Sequence, residues 1–112
     1  MSLTRIRVQL QEGHHDIQSV TNERIGLTFL EIAMAVRTLH ENTRDLFPKR
    51  NDQVAYDNAV ERLCAELGRA KNGRFIAQSA GNQFREKFQA TRGGKTATYR
   101  IDIEVAGHIA VA

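Results

Sequence analysis

Apolar and polar residues alternate at both ends of this 112-residue chain. Ile6, Val8 and Leu10 interleave with Arg5, Arg7 and Gln9, which places the apolar side chains on one face of a strand. Near the other end Ala97, Tyr99, Ile101, Ile103 and Val105 share one side, while Thr98, Arg100, Asp102 and Glu104 take the other. This predicts a strand over 96–105. Ala106-Gly107 then turns the chain toward Ile109 and Val111, a short third strand. The two terminal regions are expected to meet in one sheet.

Between these ends the period lengthens. From about Asn22 to Phe47, the residues Ile25, Phe29, Ile32, Val36, Leu39 and Leu46 recur at steps near three and four, which predicts a long helix. Leu27, Leu30 and Met34 widen its apolar stripe beyond what a small sheet needs to cover it. Pro48 stops that helix, and Lys49 to Asp52 form a polar connection in which Asn51 or Asp52 is placed to cap the next one. A second helix is predicted over 53–69, with Tyr56, Val60, Leu63 and Leu67 inward and Ala59 and Cys64 beside them. Asn72-Gly73 marks a turn. Phe84 and Phe88, four apart above Ala80, predict a third helix over about 79–91, ended by Gly93-Gly94. The expected fold is a single α+β domain spanning 1–112, with three main helices packed against a small antiparallel sheet of two or three strands.

Composition changes this picture little. Apolar residues make up 41% and charged residues 26%, with no Trp, so the core rests on Ile, Leu, Val and Ala. Lone Cys64 excludes an internal disulfide and reads as a structural thiol. No stretch approaches the roughly 18 apolar residues that span a bilayer, so no membrane partner is expected and the location reads as cytoplasmic.

Charge placement is more informative than the formal net charge of +3. Residues 69–100 carry Arg69, Lys71, Arg74, Arg85, Lys87, Arg92, Lys95 and Arg100 against Glu86, whereas the chain before Arg69 is slightly acidic. Arg69, Lys71, Arg74, Arg85, Lys87, Arg92 and Lys95 are therefore the candidate nucleic-acid contacts, since cations on a helix and its flanking turns engage phosphate oxygens without reading bases. DNA or RNA is the partner class this implies, with an acidic protein as another. Arg5, Arg7 and Arg100 form a second cluster, which Asp102 and Glu104 balance if the terminal strands pair.

Catalytic signals are weak. The glycines at 68, 73, 81, 93 and 94 make no phosphate-binding signature, and no serine lies in a Gly-x-Ser-x-Gly turn. His14-His15-Asp16, His40 and His108 lack metal-ligand spacing. No catalytic set, cofactor or metal ligand is assigned. Enzyme status stays open, because a nuclease built from Arg and His side chains leaves no short pattern, and the noncatalytic reading is favoured. Two functions follow: a small nucleic-acid-contacting or regulatory protein using a C-terminal basic surface, or a homo-oligomeric protein-interaction or accessory module. For the second, a homodimer interface is expected at Ile25, Leu27, Leu30 and Met34.

Overall fold

The computed structural model describes residues 3–47, 49–69 and 81–107. Strands β1 (Leu3–Glu12) and β2 (His15–Ile25) form a hairpin. Helix α1 (Phe29–Thr43), a short 3-10 turn (Arg44–Leu46) and helix α2 (Arg50–Arg69) follow. A second hairpin, β3 (Gly81–Arg92) and β4 (Lys95–Gly107), completes the order. The four strands make one antiparallel sheet in the order β2-β1-β4-β3. The two hairpins join through β1 and β4, which confirms the meeting of the terminal regions.

The helices lie on one face of this sheet. Ile6, Val8 and Leu10 of β1, Phe84 and Ala90 of β3, and Tyr99, Ile101, Ile103 and Val105 of β4 are buried beneath Ile32, Ala35 and Val36 of α1 and Tyr56, Ala59, Val60, Leu63 and Leu67 of α2. Burying this apolar surface is the main term that favours the fold. A capping box starts α1: Thr28 Oγ1 accepts from the Glu31 amide, and the Glu31 carboxylate accepts from the Thr28 amide. The Glu31 bonds to Thr28 hold its carboxyl below the usual range. Thr4 Oγ1 accepts from the Leu27 amide at 2.9 Å, tying the entry of α1 to β1.

The expected three helices and two or three strands are corrected, among the described residues, to two α-helices and a sheet of four strands. The predicted third helix is strand β3. A spacing of four residues, as between Phe84 and Phe88, satisfies both the helical period and twice the strand period. What decides is the intervening residue: Glu86 is half-buried on the same face as the two phenylalanines, while Gln83, Arg85, Lys87 and Gln89 point the other way. Gly93-Gly94 therefore closes a two-residue hairpin turn, both residues at positive φ (60° and 78°), instead of ending a helix.

Strand β2 replaces the first part of the predicted long helix, so Ile25 belongs to a strand and α1 begins at Phe29. This edge strand is mostly polar, with Val20 as its one residue packed against the core. Its partner β1 sets its conformation. The predicted second helix is α2, which begins at Arg50, and Asp52 lies inside its first turn. Pro48, the Asn72-Gly73 turn and the short third strand at Ile109 and Val111 lie outside the described residues.

Candidate functional site

Among the described residues no helix covers the second face of the sheet, which presents rows of mostly polar side chains. The pairing register arranges it in rows: Thr21, Arg7, Glu104 and Gln83; Ser19, Gln9, Asp102 and Arg85; then Asp16, Gln11, Arg100 and Lys87. Antiparallel sheets commonly leave one face solvated in this way. The rows contain no aromatic ring on which a base stacks, which sets this face apart from single-strand-binding sheets.

Much of the positive charge is locally neutralised. Arg5 and Arg7 both approach Glu104, at 3.7 and 3.5 Å. Arg85 Nε donates to Asp102 Oδ2 at 3.3 Å. Asp102 is 5% exposed although it lies on the face away from the two helices. Burial pushes its carboxyl above the ordinary carboxylate range, partly opposed by Arg85.

The expected nucleic-acid contacts separate. Arg85 and Lys87 stand on the open face. Arg92 points to the helix side, where it pairs with the fully buried Asp52 and its guanidinium carbon lies 4.5 Å from the centre of the Tyr99 ring. Lys95 is exposed beside the Gly93-Gly94 turn. Arg69 ends α2, and Lys71 and Arg74 lie outside the described residues. In place of the expected cluster, β1 and β4 bring Arg5, Arg7 and Arg100 alongside Arg85 and Lys87.

The expected oligomer residues separate as well. Leu27 is buried in the core. Ile25, 64% exposed, sits opposite Leu3 at the end of the open face. Leu30 and Met34, one helical turn apart on the outer side of α1, are 73% and 62% exposed.

A polar clamp that sequence reading missed joins the two helices. Asp57 of α2 accepts two bonds from Arg44, Nε to Oδ1 and an Nη to Oδ2, both at 2.9 Å, and His40 Nε2 hydrogen-bonds Asp57 Oδ1 at 2.6 Å. Arg44 chiefly, with His40 adding, holds the Asp57 carboxyl below the usual range. Beside it the hydroxyls of Thr43 and Tyr56 lie 2.9 Å apart. The signal available in sequence was the spacing of His40, Thr43 and Arg44, three and four residues apart near one helix end. Cys64 is half-buried, and burial pushes its thiol up, away from the reactive thiolate.

Among the described residues no group of three or more His, Cys, Asp or Glu is placed to hold a metal ion. None of their helices is long and apolar enough to cross a membrane. Neither the protein-family models, nor the curated proteins, nor the solved structures give a match to this chain.

Proposed function

We propose that this protein is a noncatalytic interaction module that associates with a second copy of itself through the outer side of α1. The observation that carries this reading is the exposure of Leu30 and Met34. Ile32, Ala35 and Val36 already anchor α1 to the core, so its outward apolar side chains serve no packing within the described chain. Met34 stands about opposite the buried Ile32 and Val36 at the 3.6-residue period, in the middle of the solvent side. Glu31, Arg37 and Glu41 flank it with both signs of charge, a rim suited to a copy of itself.

Light scattering after size-exclusion chromatography tests this. The expected mass is twice the 12.6 kDa of one chain, falling to one chain on dilution. Met34→Glu and Leu30→Glu, both on the exposed side, are expected to give the single-chain mass with an unchanged circular-dichroism spectrum. A single-chain mass for the unsubstituted protein at every accessible concentration overturns the proposal.

Contact with DNA or RNA has less support. It rests on convergence of the basic residues, yet Arg85 and Arg92 face carboxylates of their own chain. Arg100 and Lys87, which have no ion pair among the described residues, favour what remains of that reading. A duplex titration at low salt decides: phosphate contact gives binding that falls steeply with added salt, and absence of binding at low salt removes the reading.

A further inference from the structure

The register of the second hairpin sets Lys87 of β3 directly opposite Arg100 of β4 on the open face. Like charges in that relationship repel and weaken a sheet, unless something neutralises them. Their neighbours on the same face are treated differently. Arg5 and Arg7 share Glu104, and Arg85 has Asp102. Among the described residues Lys87 has no ion pair, and Arg100 makes a side-chain hydrogen bond to a neutral group: its Nε donates to Gln11 Oε1 at 3.0 Å.

That bond also fixes where the remaining guanidinium donors go. The Gln11 amide is held at both ends, because its Nε2 donates to Asp16 Oδ1 at 2.6 Å. Asp16 Oδ2 in turn accepts from Gln9 Nε2 at 3.3 Å. The nearest carboxylate on β2 is thus occupied by two neutral amides, and among the described residues neither the Nη donors of Arg100 nor the Lys87 ammonium has an ion-pair partner. Asp102, two residues along β4, is turned to Arg85. Gln11, Gly13, Lys87, Thr98, Tyr99 and Arg100 line a shallow hollow of about 250 Å³ at this point.

We propose that this hollow binds a phosphate-class oxyanion: free phosphate, or the phosphoryl group of a monoester. Two adjacent cations suit a dianion, the guanidinium offers paired donors to tetrahedral oxygens, and the Thr98 hydroxyl supplies a neutral one. The volume suits a headgroup, being smaller than the clefts that enclose whole drug-sized ligands. The site stands independently of self-association through α1, which lies across the sheet from it.

Titration of the full ¹⁵N-labelled chain with inorganic phosphate, phenyl phosphate and acetate tests the site. With phosphate, the amide signals of Gln11, Lys87, Thr98 and Arg100 are expected to move together and saturate with a midpoint of order 1 mM. Lys87→Gln, on an exposed strand position, is expected to weaken binding about tenfold by removing one charge-assisted bond. Lys95→Gln, an exposed lysine beyond the hollow, is expected to leave it unchanged. Equal midpoints for phosphate and phenyl phosphate identify free phosphate, and a tighter phenyl phosphate identifies a monoester; either upholds the site. Equal weakening by Lys87→Gln and Lys95→Gln, or acetate moving the same signals at the same midpoint as phosphate, overturns it.

Discussion

Asp52 in the first turn of α2 and Arg92 at the end of β3 form an ion pair whose carboxylate is fully buried. The contact fastens the start of the helix to the turn end of the second hairpin, far apart in sequence. Arg92 also spreads over the Tyr99 ring, so one guanidinium links α2, β3 and β4. The Arg92 charge is thereby matched by a carboxylate of its own chain, and the buried Asp52 carboxylate depends on that partner for its solvation.

Removing both members should therefore cost less than the two single removals added together. Arg92→Met leaves the fully buried Asp52 carboxylate without its partner, and a loss of about 3–5 kcal/mol is expected in urea unfolding at neutral pH. The double variant Asp52→Ala with Arg92→Met should lose less than the sum of the single losses. Strict additivity of the two would show that the pair is not coupled.

Gly107 at the end of β4 has φ of 93°, and a Cβ there would meet the backbone carbonyl of Leu3. Both conformation and space oppose a side chain. Gly107→Ala is expected to destabilise the protein by about 2–3 kcal/mol. Gly94→Ala, at φ of 78° with nothing within 4 Å, carries the conformational cost alone, about 1 kcal/mol. Thermal unfolding of the two variants should rank them in that order.

Acid should act on the two perturbed aspartates in opposite directions. The lowered pKa of Asp57 gives stability that is full above its ordinary value of 3.8 and is lost as pH falls through the folded value. The raised pKa of Asp102 gives the reverse: its contribution is full below 3.8 and is lost as pH rises through the folded value. Asp57→Asn is thus expected to lower stability at neutral pH by about 1 kcal/mol, with the difference vanishing in strong acid. Asp102→Asn should remove a decline that sets in as pH rises above 3.8. Urea midpoints measured across the acid range check both signs.

The Tyr56 phenol is pushed up to about 12 by burial, with its Thr43 hydrogen bond opposing. In a Tyr99→Phe background, absorbance titration should find Tyr56 still un-ionised at its ordinary value of 10 while the chain remains folded. The neutral phenol contributes stability that is complete below 10 and is lost as pH climbs toward about 12. Ionisation of Tyr56 at 10 in the folded chain would contradict its burial.

The strands with strong apolar alternation, β1 and β4, and the inward stripe of α2 could be read directly, because burial imposes a period on the residues that face the core. β2 and β3 could not be read that way. β2 contributes Val20 to the core from otherwise polar surroundings, and the pairing that makes it a strand is recorded in β1. In β3 the four-residue step between Phe84 and Phe88 fits either period, and the ladder with β4 breaks the tie. The candidate sites differ in the same way. Leu30 and Met34 could be singled out along the helix, because their excess over the buried stripe is a local property.

By itself the sequence determined the α+β composition, the antiparallel meeting of its two ends and the surplus apolar residues on the first helix. Tertiary structure alone decided which charges remain available. Arg92 turned inward to Asp52, Arg85 met Asp102, and Lys87 was set against Arg100. A charge's sign belongs to its residue, but its neutralisation depends on strand register and on which face of the sheet it occupies, and both are fixed by pairing between segments distant along the chain.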